Sequence, residues 1–97
     1  MAGAVILMKL TDQGIRNIKQ APQRIEAGVK AMEAMGGKVT AFYATMGPYD
    51  YVAVGEGLGD EALLGFLLAL GAQGNVTTTT LKGFSPEEFA EIVKSIP

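Results

Sequence analysis

The amino-acid sequence predicts an α+β sandwich: four antiparallel strands in one sheet, helices on one of its faces, and an extra helix at the C-terminus. Three observations carry this. Four short segments, 4–10, 38–46, 50–56 and 76–82, are rich in Val, Ile, Thr, Tyr and Phe, which suit a pleated, half-buried surface. Two helix-patterned segments, 22–35 and 60–70, each follow one strand and precede another. The second and third strands are joined by a tight turn at Gly47-Pro48, where glycine supplies backbone freedom and proline presets φ.

The first strand, Ala4-Val5-Ile6-Leu7-Met8-Lys9-Leu10, is an almost continuous apolar run, the pattern of a central strand covered on both faces. Thr11 or Asp12 caps a short helical turn through about Ile18. Ala21-Pro22 restarts a helix, with proline at its first position. Ile15, Ile18, Ile25, Val29 and Met32 recur at three-, four- and seven-residue intervals as one apolar stripe interrupted by the proline, and Arg24, Lys30 and Glu33 lie off it. Gly36-Gly37 ends the helix, because the position after a helix favours glycine.

Lys38 to Thr45 reads as the second strand and Asp50 to Glu56 as the third. Asp60 is a suitable N-cap for the helix Glu61 to Leu70, whose Leu63, Leu64, Phe66, Leu67, Leu68 and Leu70 leave no polar side. A helix apolar all round is buried on more than one side, and 97 residues are too few to achieve that alone. The pattern therefore predicts self-association. Val76 to Lys82 is the fourth strand, with four consecutive threonines, and Ser85-Pro86-Glu87-Glu88 is a capping box that starts a last helix running to about Lys94. The order β-α-β-β-α-β plus a terminal helix is that of a ferredoxin-like sandwich, read here as one domain over residues 1–97. Its first and third strands are central, and they are the most apolar in this chain.

Composition narrows the function classes. The chain is 48% hydrophobic and 19% charged, too apolar for a disordered segment. A net charge of −2 and eight dispersed cationic residues argue against nucleic acid as the main partner. With no Cys and no His, disulfides, thiol chemistry and a zinc or proximal-His haem site are not expected, nor is any other cofactor. Met1-Ala2-Gly3 leads into a short apolar run with no basic segment before it, so neither a signal peptide nor a membrane span is expected and a cytoplasmic location is the default.

Leu10-Thr11-Asp12-Gln13-Gly14-Ile15, then Gly47-Pro48-Tyr49-Asp50, then Ala69-Leu70-Gly71 with Gly74-Asn75-Val76, resemble the GYD domain family of small stand-alone proteins, in order and spacing over nearly the whole chain. The resemblance implies a ferredoxin-like chain of the dimeric α/β-barrel type and no settled biochemical activity. The turn from Gly47 to Tyr51 is also similar to the effector-binding domain of leucine-responsive regulators of the Lrp/AsnC type, which has the same fold and binds amino acids between subunits. No helix-turn-helix precedes the first strand here, so DNA binding is not implied.

Asp50, between Tyr49 and Tyr51, is the leading candidate for chemistry. It either orients or deprotonates a small substrate in a water-poor cleft, or accepts hydrogen bonds from the hairpin backbone, the commoner role of a turn aspartate. Alternation along the strand puts Tyr49 and Tyr51 on one face and Asp50 on the other. Lys9 either meets an anionic ligand, Asp50 or Glu56, or lays its stem on the sheet with its ammonium in water. Tyr43 and the threonines offer hydroxyls, Thr77 and Thr79 on one face, Thr78 and Thr80 on the other. The expected ligand-binding set is Lys9, Tyr43, Tyr49, Asp50, Tyr51 and Thr79. Thr11-Asp12-Gln13-Gly14 with Arg16 and Asn17 reads as an anion-binding helix start or as an ordinary capped turn.

Three functions fit these residues. The first is a homo-oligomeric module that binds a small molecule between the open sheet faces of two subunits. The second is a cofactor-independent enzyme of the dimeric α/β-barrel type using Tyr and Asp groups. The third is a structural or assembly protein without a ligand.

Overall fold

The computed structural model describes residues 3–97. Met1 and Ala2, part of the segment on which the expectation about a signal peptide rests, lie outside the described residues. The elements run β1 (Gly3–Leu10), α1 (Asp12–Arg16), a 3-10 turn (Ile18–Gln20), α2 (Ala21–Ala34), β2 (Lys38–Ala44), β3 (Tyr51–Glu56), α3 (Asp60–Ala72), β4 (Val76–Gly83) and α4 (Pro86–Lys94). One antiparallel sheet has the order β2-β3-β1-β4, with β1 and β3 central, as the apolar character of those two strands predicts.

Register assigns the faces. Ala4, Ile6 and Met8 of β1 and Tyr51, Ala53 and Gly55 of β3 are buried beneath the helices. Ile6, Met8, Met32, Tyr51, Ala53 and Val76 form the core, with Ile25 of α2 and Leu63, Phe66, Leu67 and Leu70 of α3 packed against it. The α3 contacts recur at three- and four-residue spacing, so only one side of that helix meets the sheet. Leu64 and Leu68 on its other side are 58% and 65% exposed.

Several local expectations shift. Ile15 and Ile18 are exposed rather than part of the α2 stripe, because the segment is divided into α1, a 3-10 turn and α2 and does not run as one continuous helix. Gly59, not Asp60, is the N-cap of α3, and Asp60 lies in the first turn, where its charge suits the helix dipole. β2 ends at Ala44 and β3 begins at Tyr51, so 45–50 form the connection. Gly47 at its tip has φ 111°, a conformation that favours glycine. The capping box at Ser85 and Glu88 forms as the sequence predicts.

α4 extends the molecule rather than closing it. Phe89, Ile92, Val93 and Ile96 recur on one side and are 43–64% exposed. The molecule measures 52 × 30 × 18 Å with a radius of gyration of 14.7 Å, against about 12.5 Å for a compact chain of this length. Its accessible surface is 6552 Å², against about 5,300 Å² for a compact monomer of this mass. No helix among the described residues is long and apolar enough to cross a membrane.

Candidate functional site

The sheet face opposite the helices is uncovered. Tyr43, Val52, Leu7 and Thr79 lie in register and form one row across all four strands, and Ala41, Val54, Val5 and Leu81 form the next. Tyr43 and Leu81 are 66% and 51% exposed. Lys9 follows Leu7 on this face opposite Thr77. Its ammonium sits 5.4 Å from the centroid of the Tyr49 ring, a cation–π distance. The ion pairs among the described residues lie elsewhere, at Lys30–Glu26, Lys82–Asp60 and Lys94–Glu91, so Lys9 meets neither Asp50 nor Glu56.

Asp50 completes the sheet at the point where β3 begins. Its backbone N–H donates to the Met8 carbonyl at 2.8 Å, and its carbonyl accepts the Thr45 N–H at 2.8 Å. The carboxylate turns onto β1 and accepts the Leu10 backbone N–H at 2.8 Å. Leu10 lies beyond the last paired residue of β3, so the side chain supplies the acceptor that a longer strand would have provided. Thr45 Oγ1 donates to the Tyr49 carbonyl and steadies the connection.

The segment after Leu10 is tied to the far end of the chain. Thr11 N–H donates to the Asn75 carbonyl at 3.0 Å, and the Thr11 hydroxyl donates to the Gly74 carbonyl. The same hydroxyl accepts from Gly14 N as the N-cap of α1. Gln13 Nε2 donates to the Gln73 carbonyl at 2.9 Å and to Asn75 Oδ1 at 3.1 Å. A Cβ on Gly14 would fall 2.1 Å from the Asn75 carbonyl oxygen, so only glycine permits this approach. The three segments that carry the family resemblance therefore meet at one end of the sheet, around Leu10 and Thr11.

On the helix side of that same end lies a cleft of about 90 Å³. Ile25 and Val29 of α2 line one wall and Phe66 and Leu70 of α3 the other. Its floor runs over Ile6, Ala53 and Tyr51, and Arg24, Gln73 and Asn75 also line it. Tyr51 is 8% exposed and its ring meets Phe42 at a centroid distance of 5.5 Å. Arg24 is half-buried and donates through Nη1 to the Asn17 carbonyl at 2.9 Å.

The expected ligand set is thus divided. Lys9, Tyr43, Thr79 and the Tyr49 ring stand on the open side, whereas Tyr51 points beneath the helices. Alternation does not pair Tyr49 with Tyr51, because the strand starts only at Tyr51 and Tyr49 belongs to the bent connection. Asp50 is held by the Leu10 N–H at the strand end, the structural role expected of it, with β1 rather than the hairpin as donor. Arg24, Gln73 and Asn75 are not among the expected residues. The one sequence signal is the position of Arg24 off the apolar stripe, which reads as solvent-facing.

Fold and site together define a small ferredoxin-like domain with an uncovered sheet face and a hydrogen-bonded junction of three motif segments at one end. Residues 5–93 match the GYD domain, and the chain belongs to the GYD domain family, as the resemblance implied. A relative from Thermus thermophilus, called "Glutamine synthetase and cystathionine beta-lyase binding protein", is 35% identical over 79 residues, which cover 80% of this chain and 83% of the relative. No solved structure matches the chain.

Proposed function

We propose that this protein is a homo-oligomeric binding module that closes its open sheet face on a second copy and docks protein partners on the resulting assembly. The observation that carries this is the uncovered face itself, with Val5, Leu7, Val52, Val54 and Leu81 in adjoining rows. The surplus of about 1,200 Å² over a compact monomer exceeds the roughly 800 Å² that each partner contributes to a standard interface. The α4 stripe supports the same reading, since an amphipathic helix with its apolar side in water gains by burying it against a partner. The protein-binding part rests on similarity to the Thermus thermophilus relative, whose name gives two enzymes as its partners.

Light scattering tests the assembly: a dimer or larger species at micromolar concentration is expected, and a stable monomer overturns it. Surface plasmon resonance against purified glutamine synthetase and cystathionine β-lyase from the source organism tests the docking. Saturable binding to either is expected, and binding to neither removes the protein-partner reading.

A small ligand between the opposed sheets is the second reading, favoured by the row of Tyr43 and Thr79 beside the Lys9–Tyr49 pair. Asp50 and Tyr51 leave that set. The enzyme alternative has less support, because Tyr51 lines the cleft beneath the helices while the Tyr49 ring meets Lys9 on the open side.

A further inference from the structure

Tyr51, which lines the cleft beneath α2 and α3, carries a polar group that its surroundings do not use. Tyr51 is more than nine-tenths buried, yet its hydroxyl makes no hydrogen bond to any described residue. No fully enclosed polar side-chain atom is left without a partner among the described residues, so this hydroxyl keeps some accessible surface. A phenol placed in an apolar site normally finds a partner, since the unmet donor costs free energy. Phenylalanine would fill the same core position without that cost.

Topology places the other polar groups of the cleft at the same end. Tyr51 is opposite Met8 near the close of β1, Asn75 immediately precedes β4, Gln73 follows α3, and Arg24 is in the first turn of α2. All four belong to the sheet end where Leu10 and Thr11 sit. Away from that end the lining is apolar, through Ile6, Ala53, Val39 and Met32. Among the described residues Arg24 is the one charged residue of the lining, and no Asp or Glu contributes to it. With Nη1 committed to the Asn17 carbonyl, Nε and Nη2 of Arg24 remain as donors.

We infer that this cleft binds a short aliphatic monocarboxylate, its chain between α2 and α3 and its carboxylate at the Arg24–Tyr51 end. The charge follows from a lining that offers a guanidinium and a phenolic donor but no counter-charge for an ammonium. The length follows from the volume. About 90 Å³ is several times the roughly 10–15 Å³ that admits one water, room for a short aliphatic run with the head group in the open mouth. The site lies within one protomer on the face opposite the open sheet, so it does not depend on closure of that sheet face by a second copy.

The test is isothermal titration of the full-length protein with sodium pentanoate, pentylamine hydrochloride and pentanol, repeated on Tyr51→Phe and Arg24→Gln. Pentanoate is expected to saturate one site per chain, while the amine and the alcohol do not. Tyr51→Phe is expected to weaken pentanoate by roughly ten- to a hundredfold, the range of a hydrogen bond to a charged group, with melting of the ligand-free protein unchanged. Arg24→Gln is expected to weaken it at least as much, and it carries the test if Tyr51→Phe alters the fold. The inference is overturned if pentanoate fails to saturate at millimolar concentration, which assigns the hydroxyl to water alone. It is equally overturned if the amine or alcohol binds as well, or if neither substitution changes pentanoate affinity.

Discussion

The Asp50 carboxylate and the Leu10 backbone N–H, forty residues apart, form a 2.8 Å hydrogen bond at the point where β3 stops pairing with β1. A side chain therefore continues a ladder that the backbone has left. Charge strengthens such a bond, and its loss leaves a half-buried donor unmet. Asp50→Ala is expected to lower stability by about 1–3 kcal/mol, measured by urea unfolding. Asp50→Asn retains an acceptor oxygen and is expected to lose less. An unchanged urea midpoint in Asp50→Ala would show that the bond contributes nothing to folding.

Gly14 and Gly65 make opposite predictions for the same substitution. A Cβ at Gly14 meets the Asn75 carbonyl at 2.1 Å and Leu10 Cδ2 at 3.0 Å, and the backbone atom cannot rotate away. Gly14→Ala is expected to destabilise by about 1–3 kcal/mol as α1 is pushed off the β4 side. At Gly65, inside α3, nothing lies within 4 Å of the added carbon. Gly65→Ala is expected to stabilise by about 0.5–1 kcal/mol through helix propensity. Thermal melts of the two variants, measured under one condition, should move in opposite directions.

Assembly is best probed at positions that do not serve the core. Leu67 packs against the buried cluster, so a charge there unfolds the protomer before it reports on association. Leu81 on the open sheet face and Leu68 on the outer side of α3 are exposed and free of that confusion. Leu81→Lys is expected to shift a dimer toward monomer at unchanged circular dichroism. Leu68→Lys is expected to dissolve only higher assemblies that use α3. Lys30→Glu, on a helix surface bearing the Lys30–Glu26 pair, serves as the silent control. Should Leu81→Lys leave the light-scattering mass untouched, the sheet face is not the interface.

Ser85 holds the start of α4 through a reciprocal pair of hydrogen bonds with Glu88, 3.1 Å from Glu88 N to Ser85 Oγ and 2.8 Å from Ser85 N to Glu88 Oε1. Loss of a cap costs about 1 kcal/mol. Because the apolar stripe of α4 is largely exposed, the loss is expected to be local. Ser85→Ala should speed amide hydrogen exchange over 86–94 and leave the slow amides of β1 and β3 as they were.

The sheet is legible in the sequence because its signals are local. The apolar run at β1 and the Ser85 capping box each act within a few residues, and both form, while the tight turn expected at Gly47-Pro48 widens into the six-residue connection 45–50. What stays hidden depends on contacts across the chain. Nothing in the sequence around Asp50 says that its acceptor is needed at Leu10, because that need arises from where β3 happens to stop. Alternation groups Tyr51 with Tyr49, but alternation holds only inside a strand, and this strand begins two residues too late for Tyr49. Arg24 gives an ambiguous sign. An arginine beside an apolar stripe reads as solvated, and only the meeting of α2, α3 and the strand ends brings it into the same cleft as a phenol.

The register of β1 also sets an order of events during folding. Its partners in β4 lie more than sixty residues away, and those in β3 more than forty. Closing such loops costs entropy before any ladder bond repays it, whereas β2 and β3 are separated by six connecting residues and pair cheaply. Once Glu56 has been made β1 can pair with β3, but its other side stays open until Val76–Gly83 has emerged. Until then Ala4 to Leu10 is the apolar edge of a three-stranded sheet, and agents that shield exposed strands should raise the yield of folded chain more than agents that stabilise the finished sheet.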